Sequence, residues 1–326
     1  MNIHPSRRCV LALLAACAAS PAPAQPGLRR PLRLIVPAPA GGTADFVARA
    51  LTQALHTTAG LTAVIDNRPG VAGAVATEVL LSAPRDGSTL LLSPNSLVTE
   101  VPYTIKPRYD PFKDLVPLVE LASIGIVLVA DADLSVRTLQ EMLDYVKARP
   151  GQVTYASFGP GTISHVKGLQ FCRAAGLDMQ HVGYKGSPPA LLDVVGGRVP
   201  FMFDGITTSA PHVRAQRLRA LAVTSPRRSP LLPDVPTFAE LGYGDLTQTV
   251  AMTLFATPEV PAAAAAQLRR QVLDALRSPE LLAAFTTAGL EVAAQQQTTD
   301  DLRRAMRREH ERTGRILDSI GHTPAS

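Results

Sequence analysis

Residues 32–43 read Leu32-Arg33-Leu34-Ile35-Val36-Pro37-Ala38-Pro39-Ala40-Gly41-Gly42-Thr43, and residues 153–162 read Val153-Thr154-Tyr155-Ala156-Ser157-Phe158-Gly159-Pro160-Gly161-Thr162. Each is a short β-rich run, then a turn of glycine and proline, then a threonine suited to cap a helix. The first leads into Phe46, Val47, Ala50, Leu51 and Leu55, and the second into a helix over 162–175. Both are therefore strand–turn–helix units, which belong to parallel α/β sheets.

The same alternation continues outward. Residues 61–65, 89–92, 179–182 and 199–203 read as further strands, and 73–81, 135–149 and 187–195 as helices. The apolar run 115–130 is long for one strand and suits a segment that leaves one lobe and enters another. Residues 218–224 offer a second crossing. Two crossings divide the chain into lobes built from separated pieces: 26–123 with 224–326, and 124–223. The expected fold is α/β, with two lobes, two mixed sheets flanked by helices, and two crossover hinge strands. The last helix, expected over 299–320, repeats Leu302, Met306, Thr313 and Leu317 at helical spacing, and its arginines read as a solvated face.

Before these units, Arg7 and Arg8 precede an apolar run over 10–16, and Ala22-Pro23-Ala24 precedes Gln25. This is the pattern of an export leader over residues 1–24, too short to span a bilayer. Leu14-Ala15-Ala16-Cys17 also fits a lipidation site at Cys17, and Ser6-Arg7-Arg8 a weak twin-arginine signal; simple cleavage near Ala24 is the favoured reading. Losing the leader lowers the net charge from +5 by two, to +3. That is too mild for a nucleic-acid partner. The absence of Trp and an aromatic content of 5% argue against a stacking platform for sugars or bases. Cys172 would remain as the sole cysteine, read as core packing.

The two turns share one design. Glycine lets the backbone come close to a ligand, and the free N–H groups of a helix N-terminus carry partial positive charge. One such turn is as readily structural as functional, but two at strand ends of opposite lobes point to an anion site. The candidate ligand residues are Gly41, Gly42, Thr43 and Asp45 from one lobe, with Ser157, Gly159, Gly161 and Thr162 from the other. Asp204, at the end of the strand 199–203, is a further candidate at the cleft. Asp45 also suits a bland role in the first helical turn, pointing aside from an anion. His165 reads as a satisfied structural histidine.

Enzymatic patterns are missing. Gly159-Pro160-Gly161 imitates a dinucleotide fingerprint, but Ser164 replaces its third glycine, and Gly183-Tyr184-Lys185-Gly186-Ser187 is too short for a P-loop. There is no serine elbow, no zinc helix and no histidine spacing for a metal. No catalytic residue, metal or cofactor is expected.

From Pro31 to Ile320 the chain resembles the substrate-binding receptors of tripartite tricarboxylate transporters, the Bug proteins. The resemblance is carried by residues 39–45 (Pro39-Ala40-Gly41-Gly42-Thr43-Ala44-Asp45), 67–70 (Asn67-Arg68-Pro69-Gly70), 184–190, Phe203-Asp204 and 233–237. It implies a type II-like periplasmic binding protein, monomeric, that closes on a small carboxylate and delivers it to a two-subunit membrane permease. A sensory partner of a membrane kinase would use the same site, and an α/β hydrolase or nucleotide-dependent enzyme is the rival from another class. Ala38-Pro39-Ala40 departs from the family's frequent aromatic and second proline, on the loop expected to meet the ligand's variable end.

Overall fold

The computed structural model describes residues 31–293, 297–319 and 321–322. The expected leader over 1–24, its cleavage point and Cys17 lie outside the described residues.

Strand β1 (Leu32–Val36) has every residue buried except Arg33, which pairs with Asp66. A near-continuous apolar run of this kind fits a strand covered on both faces. It lies parallel to β2 (Ala63–Asn67) and β3 (Thr89–Pro94). Helix α1 (Thr43–Ala59) buries Val47, Ala48, Leu51, Ala54 and Leu55, one helical stripe, and ends on Gly60 in the left-handed conformation. Helix α2 (Ala74–Leu81) precedes β3, and the short helices α3 (Ser96–Thr99) and α4 (Val101–Thr104) follow it.

Strand β4 (Val116–Asp131) is 16 residues long because it serves two sheets. Its first part, Val116 to Gly125, pairs antiparallel with β9 (Thr249–Ala256). From Ile126 onward it pairs with β7 (Phe201–Gly205) and β8 (Leu218–Val223). The first sheet runs β2-β1-β3-β9-β4, with β10 (Glu291–Val292) also on β4. The second runs β8-β4-β7-β5-β6, where β5 (Val153–Ser157) is parallel to β6 (Met179–Gly183) and β7. Each sheet thus has parallel strands on one side and antiparallel ones on the other, two mixed sheets as the sequence suggested. Helices α5 (Leu139–Lys147), α6 (Ile163–Ala175), α7 (Ser187–Val195) and α8 (Ile206–Arg214) flank the second sheet. Helices α9 (Ala262–Ala275) and α10 (Pro279–Thr287) belong to the first.

Between the sheets, three chain segments are stitched together. Thr224 N–H donates to the Ile126 carbonyl at 2.8 Å, and Ile126 N–H to Thr224 Oγ1 at 2.9 Å. Thr224 Oγ1 in turn donates to the Gln248 carbonyl at 2.8 Å. A Cβ on Gly125 would lie 2.9 Å from the Ser225 Cβ, so only glycine lets these segments pass so closely.

The chain does not return to the first lobe at Thr224 as the sequence suggested. Residues 225–246 stay on the second sheet, because Phe238 completes an aromatic cluster with Phe171, Phe203 and Tyr243. Val223 N–H also donates to the Pro236 carbonyl, and Phe238 N–H to the Val223 carbonyl. Return comes at Gln248, one residue before β9. Helix α11 (Thr299–Ser319) buries Leu302, Met306, Thr313 and Leu317, the stripe read from the sequence. Among the described residues, no helix is long and apolar enough to cross a membrane.

Candidate binding site

The β1–α1 turn and the β5–α6 turn are near copies. Gly41 has φ 83° and Gly161 φ 84°, a region that favours glycine. The N-cap of α1, Gly42, has φ −79° and ψ 165°; that of α6, Thr162, has φ −76° and ψ 163°. Gly42 N–H reaches the Pro39 carbonyl at 3.3 Å, and Thr162 N–H the Gly159 carbonyl at 3.3 Å. Neither helix has a side-chain cap. The N–H groups of the first helical turns therefore remain the donors available for an anion.

Between the two turns lies a cavity of 520 Å³. Gly42 and Thr43 line it from the first lobe, Gly159 and Thr162 from the second. Its floor is apolar, made by Ile124 and Ile126 of the crossing strand and by Val250 and Met252 of β9. The lobes meet over it. Thr104 Oγ1 lies 3.2 Å from the Gly161 carbonyl oxygen, and a Cβ on Gly205 would sit 2.8 Å from Thr43 Oγ1. Pro39 packs against Gly186.

The other candidates stand behind this wall. Gly41 donates its N–H to Asp45 Oδ2 at 3.0 Å, and Asp45 also receives Arg49 at 2.8 Å and Asn67 at 3.1 Å. Burial pushes the Asp45 carboxyl up, but Arg49, Gly41 and Asn67 outweigh it and hold it below its ordinary range. Asp45 thus points aside, buttressing the turn. Gly161 donates to His165 Nδ1 at 3.2 Å. Ser157 is sealed from solvent, accepts from Gly159 N–H at 3.1 Å, and meets His181 Nε2 at 2.6 Å. A nucleophile needs access to substrate, so this serine–histidine contact is a support. Thr162 Oγ1 donates to the Gly159 carbonyl at 2.7 Å, and so bonds its own turn.

Asp204 is fully buried two residues before α8, and accepts from Thr208 at 2.7 Å and Ser209 at 2.5 Å. Burial pushes its carboxyl up, while Ser187, Ser209, Thr208 and the Gly205 N–H pull it back. It anchors the start of α8 next to Gly205, which does line the cavity.

Several cavity residues escaped the sequence reading. Ser93 and Ser96 flank the end of β3, a third parallel strand opening toward the same edge, which the strand-end rule could have flagged. Ile124 and Ile126 share one face of β4 by simple alternation. The Gly70–Gly73 turn, with Gly70 at φ 129° and Gly73 at φ 93°, carried only its glycines as a signal. Among the described residues, no group of His, Cys, Asp and Glu could hold a metal.

Comparisons with known proteins show the family and the fold. The family profile described as tripartite tricarboxylate transporter family receptor matches residues 47–322. BugT of Bordetella pertussis is 34% identical over 273 residues, covering 83% of this chain and 84% of its own. Among solved structures, an R. palustris protein with adipate superposes with a TM-score of 0.87 at 28% identity, covering 91% of this chain and 99% of that one. MatC from Rhodopseudomonas palustris with bound malate gives 0.84 at 28% identity, covering 89% of this chain and 100% of that one.

Proposed function

The chain belongs to the tripartite tricarboxylate transporter receptor family and is a solute-binding receptor, not an enzyme; from that premise we propose that it captures a small carboxylate between its lobes and delivers it to a two-subunit membrane permease. The observation that carries the reading is the pair of matched, uncapped helix N-termini facing one cavity from opposite lobes. Several fixed N–H donors serve as the main counterpart of the carboxylate, beside Lys185, which also lines the cavity. Gly42, Thr43, Gly159 and Thr162 form the contact surface. Gly41, Asp45, Ser157, Gly161 and Asp204 hold it from behind. The apolar floor of Ile124, Ile126, Val250 and Met252 suits the carbon skeleton of the ligand.

The receptor acts in the periplasm after a leader ending near Ala24 is removed. Intact mass of the exported protein checks this: a chain beginning at Gln25 is expected, and a diacylated Cys17 overturns it. Thermal-shift measurements with malate and adipate test the function. A ligand at a hundred times its Kd stabilises the native state by about 2.7 kcal/mol, enough to raise Tm clearly. An unchanged Tm across millimolar small carboxylates contradicts the reading.

A further inference from the structure

We propose that His165 and His181 are positioning residues of the binding site: a neutral stacked pair that sets the second-lobe turn, with His165 standing where Asp45 stands in the first lobe. The inference rests on the carboxylate-receptor reading above.

The two turns share their backbone course, and the fourth residue after the positive-φ glycine accepts its N–H in both. In the first lobe that acceptor is the Asp45 carboxylate at 3.0 Å, balanced by Arg49 and Asn67. In the second it is His165 Nδ1 at 3.2 Å. An N–H can only be accepted by an unprotonated ring nitrogen, so His165 carries its proton on Nε2. His181 works one step removed. Ser157 Oγ accepts the Gly159 N–H and lies 2.6 Å from His181 Nε2, and we assign the Ser157 hydroxyl proton to that contact. His181 is then the Nδ1–H tautomer. The Gly161 N–H is thereby committed to His165 and the Gly159 N–H to Ser157, and the N–H groups of the first turn of α6 are left for the ligand.

The rings stack with centroids 3.9 Å apart and planes at 27°. The titratable groups facing them are Tyr155 of β5, 5.2 Å from His181, and His322, 6.1 Å from His165. None of these is an acid that would favour an imidazolium. Burial, then His181 and His322, push His165 down to about 3; burial pushes His181 down to about 4. Protonating His165 would set Nδ1–H against the Gly161 N–H and disrupt the turn, and protonating His181 would force the Ser157 hydroxyl proton to turn away. A histidine whose folded pKa lies below its unfolded value stabilises the fold fully above about pH 6.5, and that contribution is lost as pH falls from there toward the folded values. The neutrality also bears on the ligand. A carboxylate at 165, with no arginine to balance it, would stand one helical turn from the bound anion and repel it.

Two measurements test this. Imidazole nitrogen NMR of the wild-type protein through a pH titration should show His165 as the Nε2–H tautomer and His181 as the Nδ1–H tautomer, both still neutral at pH 5. A midpoint near 6.5 for either, or the opposite tautomers, overturns the proposal. Calorimetric titration with malate and adipate is then compared for His165→Asn and His165→Asp, each checked for folding. The geometry of Asp45 shows that a side chain of this length reaches the glycine N–H. His165→Asn should therefore bind within about threefold of wild type, and His165→Asp about tenfold or more weaker. Equal binding by the two variants contradicts the inference. Failure of wild type to bind either acid contradicts the receptor reading instead, and the NMR titration still decides the histidine pair.

Discussion

Gly161 shows how much one missing Cβ contributes. Its φ of 84° strains any other L-residue, and an added Cβ would lie 2.5 Å from Thr104 Oγ1 in the opposite lobe. Gly161→Ala is therefore expected to cost about 1–2 kcal/mol from the left-handed backbone and, in addition, to prop the lobes apart. Ligand affinity should fall by more than stability does. Calorimetric titration beside a thermal melt checks it; an unchanged affinity would show that the Thr104–Gly161 contact does not accompany binding. At this scale the sequence was legible where glycine and proline punctuate a strand end, and mute where partners are distant. Nothing in the spacing of Ser157 and His181 announces a 2.6 Å contact, because it arises from the β5–β6 pairing. Thr162 was legible in position but not in role, since its hydroxyl serves the Gly159 carbonyl.

Between elements, the telling case is Glu100 and Lys167, two buried residues of opposite charge that interact electrostatically. Glu100 follows α3 in the first lobe, Lys167 lies on α6 in the second, and both are almost wholly buried. Gln248 at the return crossing donates to Glu100 Oε1 at 2.8 Å, and Lys167 Nζ donates to Gln170 at 2.9 Å. Burial pushes the Glu100 carboxyl up and the Lys167 ammonium down, while each charge favours the other's ionised form. Lys167→Met removes the charge that favours Glu100 ionisation and the bond to Gln170, so it should destabilise by about 1–3 kcal/mol. Glu100→Gln combined with Lys167→Met should recover much of that loss. Urea unfolding of the single and double variants checks it, and strict additivity would rule the coupling out. The elements themselves were largely readable. The length of β4 announced a crossing, and the 3.6-residue stripe of α11 announced its buried face. The sequence placed the return crossing at residue 224 and the structure has it at Gln248, because only tertiary packing reveals that Phe238 belongs to the Phe171–Phe203 cluster.

Taken as a whole, the molecule is two sheets of like topology sharing β4, each presenting one glycine turn and one uncapped helix to the same cavity. The carboxylate recognition by backbone N–H groups that we propose depends on the ligand's charge and its acceptor oxygens, whereas the apolar floor would hold any chain of similar shape. Calorimetric titration of malate and adipate against their diamides separates the two contributions. A hydrogen bond to a charged group is worth about 1.5–3 kcal/mol, and each 1.4 kcal/mol is about tenfold in affinity. Replacing the carboxylates should therefore weaken binding by about a hundredfold or more. Diamides that bind as tightly as the acids would contradict the account.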